Sequence, residues 1–314
     1  MSGDGAGIGR SAKFLEIVEQ ARELARVPRP ILICGERGTG KELLARYIHA
    51  SSPRCKRAYH IVNCGAFQEE LLVSHLFGHE RGAFTGASQR RMGLFEQASG
   101  GTLFLDEIAN LSLTAQARLH RVVEYQTFQR VGGSEAIRVD VRVVAATNKN
   151  LKQLIEDGCF MADLYDRLGF AEITLPPLRQ RRDDVPLLID HFIGLLHAEI
   201  PDLGTAEFTE GAVEVLQAYQ WPGNVRELKN VIERLYVSDR DRVIQPSELP
   251  VEITAREPIR GTFDEKVRAF EVALLIGALR DAKGNQKEAA GGLGMSYDQF
   301  RHYYKKYDLA SLLA

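Results

Sequence analysis

Apolar residues recur at helical spacing from Ala12 to Arg26, at Phe14, Leu15, Val18, Ala21, Leu24 and Ala25, until Pro28 and Pro30 end the run. Ile31-Leu32-Ile33-Cys34 follows as a short, wholly apolar segment, the mark of a strand buried on both faces. From there the two patterns alternate. Glu42–Ala50 reads as a helix, His60–Asn63 as a second strand, Thr102–Asp106 as a third, Leu113–Glu124 as a helix, Val141–Ala146 as a fourth strand and Ala171–Leu175 as a fifth. Helical patterns at Glu69–Phe77 and Leu94–Ala98 flank residues 82–87, which are expected to be an insertion between helical pieces. Apolar strands alternating with helices predict an α/β fold, a parallel sheet layered by helices on both faces. After Pro176-Pro177 strand patterning stops, and Val185–Glu199, Thr209–Tyr219 and Asn224–Val237 predict a small helical subdomain. The expected organisation is an α/β subdomain at 1–176, a helical subdomain at 177–240, a linker rich in proline and charge at 241–262, and a last helical domain at 263–314.

Composition mainly excludes. The chain is 45% hydrophobic and 26% charged, with a formal net charge of −2, which offers no global argument for nucleic-acid binding. No apolar run approaches the ~18–20 residues that cross a bilayer, and the N-terminus lacks signal-peptide character. Cys34, Cys55, Cys64 and Cys159 are widely spaced without a C-x-x-C pair, as expected of a reduced cytoplasmic protein and not of a disulfide or zinc framework.

The chemistry gathers at strand ends. Gly35-Glu36-Arg37-Gly38-Thr39-Gly40-Lys41 fits the first seven positions of G-x-x-x-x-G-K-[ST], directly between an apolar strand and a helix. Glycines let backbone N–H groups turn toward phosphate oxygens, the helix N-terminus favours anions, and Lys41 adds a point charge. Glu42 stands where a magnesium-binding Ser or Thr is usual. The third strand ends in Asp106-Glu107, suited to hold magnesium through water and to polarise a water against a γ-phosphate. Thr147-Asn148 end the fourth strand in the same way, and Asn63 at the end of the second is expected to restrain Glu107 through a hydrogen bond. Gly82-Ala83-Phe84-Thr85-Gly86-Ala87 sets one aromatic and one hydroxyl between glycines. Phe84 is either a ring tucked back onto its own domain or a bare side chain that meets a partner.

These motifs resemble the AAA+ transcriptional activators of sigma-54 RNA polymerase, the bacterial enhancer-binding proteins. The resemblance spans residues 8–240 and rests on the phosphate loop through Glu42, on Gly82–Ala87, on Gly100-Gly101-Thr102-Leu103-Phe104-Leu105-Asp106-Glu107, on Arg142-Val143-Val144-Ala145-Ala146-Thr147-Asn148 and on Trp221-Pro222-Gly223-Asn224-Val225-Arg226-Glu227-Leu228. It implies an ATPase using ATP and Mg²⁺, working as a ring, usually a hexamer, that remodels the closed promoter complex. In such proteins Glu is usual at the Glu42 position, and Phe84 and Thr85 touch sigma-54 on its RNA polymerase. Ile8-Gly9 resembles the adenine-side contact, Arg226 the lid arginine that reads the γ-phosphate, and Gln129–Gly133 a second pore loop moving with the first. One position departs. The resemblance implies two arginines reaching into the neighbouring subunit's site; Arg167 is kept, but Met161 replaces the other.

The last ~50 residues resemble the family's Fis-like helix-turn-helix. Phe263–Leu279 carries Val267, Phe270, Leu274 and Leu275 at helical spacing, Asn285 caps a helix at Gln286–Leu293, and Gly294-Met295 turns into a third at Tyr297–Tyr307, capped by Ser296. That third helix sets Arg301, Lys305 and Lys306 against Asp298, with Gln299, His302 and Tyr303 as further contacts to double-stranded enhancer DNA. A plain helical dimerisation unit is the alternative. Gly291 and Gly292 inside the second helix each cost about 1 kcal/mol relative to alanine. The short segment before the phosphate loop is expected to leave regulation to a separate protein acting in trans, to expression level or to a partner subunit. Two further functional readings stand beside an autonomous ATPase: a weakly hydrolysing, binding subunit of a mixed ring, favoured by Met161, and another AAA+ remodeller such as a helicase loader, disfavoured by Gly82–Ala87.

Overall fold

The computed structural model describes residues 7–238, 243–254, 263–282, 284–307 and 309, and its contacts group into two compact units, Met1–Pro250 and Val251–Ala314. In the first unit five parallel strands, β1 (Ile31–Cys34), β2 (Tyr59–Asn63), β3 (Thr102–Asp106), β4 (Arg142–Thr147) and β5 (Glu172–Thr174), lie in the order β2-β3-β4-β1-β5. Alternation along each strand sends side chains to opposite faces, so both faces need cover. Leu103, Leu105, Val143 and Ala145 pack with Leu76 and Phe77 of helix Glu69–Phe77, Leu119 and Val122 of Leu113–Tyr125, and Leu164 and Leu168 of Ala162–Leu168. Phe104, Val144, Ala146 and Ile33 point the other way, onto Ala21 and Ala25 of helix Ala12–Ala25 and Leu44 and Ile48 of Lys41–Ala50. The result is a three-layer α/β core. The buried Arg142 guanidinium closes the end of the first helix by donating to the carbonyls of Ala25 at 2.6 Å and Leu24 at 2.8 Å. Burial lowers its pKa to about 10.

Parallel pairing fixes what meets at the C-terminal edge. Asn63 lies opposite Asp106, and Cys34, just before the phosphate loop, lies opposite Thr147. Four strand ends thus deliver their polar residues to one rim, where open α/β sheets bind ligands.

Three differences from the sequence reading concern elements too short to carry a period. A hairpin pairs Thr127–Phe128 with Ile137–Arg138, and Leu151–Glu156 and Ala162–Leu168 are helices of six and seven residues. Past Pro177, helices Val185–Glu199, Glu210–Ala218 and Asn224–Ser238 form the lid, but strand pairing returns between Glu207–Phe208 and Val243–Ile244. Within the described residues of the stretch expected as a linker, Val243–Ile244 joins that pair, Pro246–Glu248 makes a 3-10 turn and Val251–Thr254 a helical turn.

The second unit holds helices Phe263–Asp281, Gln286–Gly292 and Tyr297–Lys306. Leu275, Leu279, Ala289, Ala290, Phe300 and Tyr307 form its core, while Val267 and Leu274 are exposed and the Phe270 side chain lies outside the described residues. Gly294 turns between the last two helices at φ +66°.

Candidate functional site

The phosphate loop folds as its glycines require. Gly35, Gly38 and Gly40 have φ of +152°, +76° and +104°, in a region that side-chain-bearing residues avoid. Helix Lys41–Ala50 starts at Gly40 without a side-chain cap, leaving its first N–H groups to an anion. A Cβ at Gly40 would meet nothing within 4 Å, so the loop's mouth is open. Lys41 Nζ donates to the Gly35 and Glu36 carbonyls at 2.8 and 2.9 Å. Burial holds its ammonium below the usual range; Asp106 and Glu107 pull it back up, and Arg226 pushes it further down. The Lys41 ammonium therefore feels the charges of Asp106, Glu107 and Arg226. The Glu42 carboxylate turns away and pairs with Arg46 at 3.1 Å along the helix surface.

At the end of β3, burial pushes the Asp106 carboxyl up, opposed by Lys41 and by the Glu107 N–H, which donates to Asp106 Oδ1 at 2.9 Å. Glu107 sits at φ +54°, ψ +43°, a left-handed conformation uncommon for a side-chain-bearing residue. Its restraint differs from the expectation. Asn63 Oδ1 accepts from the Gly65 N–H at 2.7 Å, which commits its carbonyl to its own turn, and Asn110 Nδ2 donates to Glu107 Oε2 at 3.1 Å in its place. Gly65 completes that corner, since a Cβ there would lie 2.5 Å from Glu107 Oε2. Lys149 Nζ in turn donates to Asn110 Oδ1 at 2.8 Å. Thr147 is buried and its Oγ1 accepts the Lys149 N–H at 3.0 Å, whereas Asn148 is exposed beside it.

The lid closes over this loop through Asn224 of the motif at 221–228 and through Arg179, Arg181 and Asp184, which the sequence alone did not single out. Glu36 faces the lid: Arg179 grips its carboxylate bidentately at 2.6 and 2.8 Å, and Asn224 Nδ2 adds a bond at 3.1 Å. The Arg179 bonds, helped by Asn224 and opposed by burial, lower the Glu36 pKa from 4.5 to about 2. Arg181, buried against the Phe14 ring, donates to the Thr39 carbonyl at 3.0 Å. Fully buried Asp184 accepts from the Arg10 and Ser11 N–H groups at 2.6 and 2.7 Å and approaches Gly9 too closely for a Cβ, so it fixes the chain just after Ile8-Gly9. A depressed carboxyl pKa stabilises the fold above the unfolded value and loses that contribution as pH falls through the folded one. The difference in thermal midpoint between wild type and Glu36→Gln is therefore expected to hold steady above pH 4.5 and to shrink to nothing toward pH 2.

Away from the loop, Gly82 and Gly86 turn at φ +80° and +101°, and the Gly82 N–H bonds to the Ala87 carbonyl at 2.8 Å. Phe84 is half-buried, its ring edge-on to His79 at 5.0 Å, while Thr85 is exposed. Phe84 is therefore folded back in this conformation and not bare, because the His79 ring lies within reach. Ala83 leans on Gly132 of the second loop, where a Cβ would come within 2.8 Å. Beneath them, buried Arg130 bonds Glu80 at 2.8 Å and also grips Glu96, which ties the two loops to the core. Arg167 is 54% exposed and pairs with Glu124. Met161 starts the same helix with its N–H donating to Gln116 Oε1 at 2.8 Å and its side chain against the core.

In the second unit Ser296 and Gln299 cap each other, Ser296 Oγ accepting the Gln299 N–H at 3.2 Å and Gln299 Oε1 the Ser296 N–H at 2.9 Å. Lys306 stacks over Tyr303 and Tyr307 at 5.2 and 4.7 Å. Arg301, His302 and Lys305 are exposed on the same helix.

Comparison with known proteins agrees with this geometry. Residues 7–174 match the Sigma-54 interaction domain family and 179–265 the AAA+ ATPase lid domain. The chain is 44% identical over 321 residues to the Psp operon transcriptional activator of Escherichia coli (strain K12), covering 96% of this chain and 98% of that one. It is also 44% identical over 293 residues to the nitrogen fixation protein AnfA of Azotobacter vinelandii, covering 92% of this chain but only 55% of the relative. Among solved structures, NtrX from Brucella abortus in complex with ADP superposes with a TM-score of 0.76 at 32% identity, over 96% of this chain and 70% of that one. No described helix is long and apolar enough to cross a membrane. With its sheet order, its phosphate loop and its lid all in place, this chain belongs to the AAA+ family of sigma-54-dependent transcriptional activators.

Proposed function

We propose that this chain hydrolyses ATP in an oligomeric ring and uses the energy to convert the closed complex of sigma-54 RNA polymerase into an open one. The observation that carries the reading is a glycine-lined loop that holds Lys41, seats the lid's Arg226 against Gly38 and shares the C-terminal rim of the sheet with Asp106 at the end of β3. Lys41 and the first N–H groups of its helix bind the phosphates, and Asp106 is the residue that would hold Mg²⁺. That ion would supply positive charge to the triphosphate; a single carboxylate suits magnesium, which keeps several waters. Glu107, held by Asn110, takes the proton from the attacking water. Thr85 and Phe84 deliver the resulting motion to sigma-54. Open-complex formation on a sigma-54 promoter with ATP, and none with a non-hydrolysable analogue, is the expected result; equal opening with both overturns it.

The second unit is proposed to bind enhancer DNA through the helix Tyr297–Lys306. Exposed Arg301 and Lys305 supply phosphate or base contacts, while Ser296 and Gln299 build the helix start. Reversing both charges with Arg301→Glu and Lys305→Glu is expected to weaken promoter-DNA binding by about tenfold or more, read by electrophoretic mobility shift across a salt series. Unchanged binding would assign this unit to helical dimerisation instead.

A weakly hydrolysing subunit of a mixed ring is the second reading, because Met161 leaves Arg167 as the one arginine kept from the expected pair. Steady-state hydrolysis by the purified chain separates the two. A self-sufficient ring gains specific activity as concentration rises.

A further inference from the structure

The phosphate loop and the lid are joined by bonds that would be superfluous if the loop only had to hold phosphates. Glu36 accepts three hydrogen bonds from the lid side, two from Arg179 and one from Asn224. Asn224 is fully buried and its side chain is shared out completely: Nδ2 reaches both Glu36 Oε2 and, at 3.0 Å, the Arg37 carbonyl, and Oδ1 accepts the Leu178 N–H at 2.8 Å. It does this from φ +54°, next to Trp221 at +49°, a turn with two residues in a conformation that costs energy outside glycine. The following Val225 N–H donates to the Gly38 carbonyl at 3.0 Å. A Cβ on Gly38 would come within 2.2 Å of the Gly223 carbonyl and 3.0 Å of Arg226 Cβ. The backbone that carries Arg226 is thus seated directly on the loop, and Glu36 anchors it on the other side.

We infer that Glu36, Arg179 and Asn224 form a core–lid latch that seats Arg226 at the phosphate loop, and that Glu36 and Arg179 are positioning residues acting through Arg226. The inference rests on the nucleotide-binding reading of the loop. Its logic is geometric. Glu36 and Arg179 are bonded to each other, so neither is committed to a nucleotide, while the residue they align lies two positions after Asn224. Loosening the latch therefore removes the contact that Arg226 makes to a terminal phosphate and leaves the rest of the loop in place. A carboxylate gripped in a fork also demands geometry that an amide cannot reproduce.

The test measures affinities of the full chain for ATPγS and for ADP by titration calorimetry. Glu36→Gln and Arg179→Gln are each expected to weaken ATPγS binding about tenfold and ADP binding less than twofold. Arg226→Ala should show the same selective loss, and adding Glu36→Gln to it should change ATPγS affinity less than twofold, as expected for residues acting as one unit. Equal weakening of both nucleotides would make Glu36 a plain prop of the loop and overturn the latch. So would a further tenfold loss in the Arg226→Ala background. A wild-type chain that binds neither nucleotide overturns the reading of the site itself. Wild-type binding with unaltered selectivity in both single variants overturns the latch alone.

Discussion

Replacing Arg167 by alanine is expected to lower steady-state ATP hydrolysis by about 10³-fold or more, because an arginine that meets developing phosphoryl charge contributes on that scale. Arg167 occupies the last turn of helix Ala162–Leu168, is more than half exposed and is paired with Glu124, not with any group of its own phosphate loop. In the proposed ring, this exposed guanidinium would act on a neighbouring subunit. The loss should leave nucleotide affinity within about twofold, since the proposed phosphate contacts come from Lys41 and its own loop. Breaking the same ion pair from the other side separates catalysis from stability: Glu124→Gln removes the partner charge but should leave hydrolysis within about twofold. Met161→Arg is expected to leave hydrolysis unchanged or to raise it. The new side chain must leave the core contacts of Met161, at a cost of about 1 kcal/mol of stability. Full hydrolysis in Arg167→Ala would show that another residue acts across the interface.

Much of this arrangement was legible in the sequence for a physical reason. Strands covered on both faces must be apolar throughout, so Ile31–Cys34 and Thr102–Asp106 announce themselves, and a parallel sheet then delivers their C-terminal residues to one rim. Glycines at the phosphate loop are equally visible, because φ values above zero demand them. What stayed hidden is tertiary. The bonds from Arg179 and Asn224 to Glu36 join residues 143 and 188 positions apart, and Asp184 reaches Arg10 across 174. No local pattern marks such pairs. The partner of Glu107 shows the same limit. Asn63 and Asn110 are both amides near a strand end, and only the left-handed turn at Glu107 brings its carboxylate to Asn110. Two-residue strands such as Glu207–Phe208 are too short to carry a period of two.

The substitution Thr85→Ala is expected to abolish open-complex formation while hydrolysis and DNA binding stay within about twofold of wild type. The loop's shape does not depend on that hydroxyl. Its turns are held by backbone bonds, Gly82 N–H to Ala87 at 2.8 Å and Ala87 N–H to Phe84 at 3.0 Å, and by the contact of Phe84 with His79. Deleting the exposed hydroxyl and methyl of Thr85 therefore removes a contact surface and leaves the scaffold intact. Phe84 is folded onto His79 here, so of the two marked side chains it is Thr85 that faces solvent in this conformation. Exposing Phe84 requires leaving that aromatic contact, which contributes on the order of 1 kcal/mol, small beside the free energy of nucleotide binding and well within what a change of nucleotide state can supply. Promoter opening is read by permanganate footprinting with sigma-54 polymerase, and hydrolysis by phosphate release on the same preparation. Activation retained in Thr85→Ala would leave Gly82–Ala87 as a surface turn with a satisfied aromatic, and would send the search for the sigma-54 contact to the second loop that Ala83 touches at Gly132.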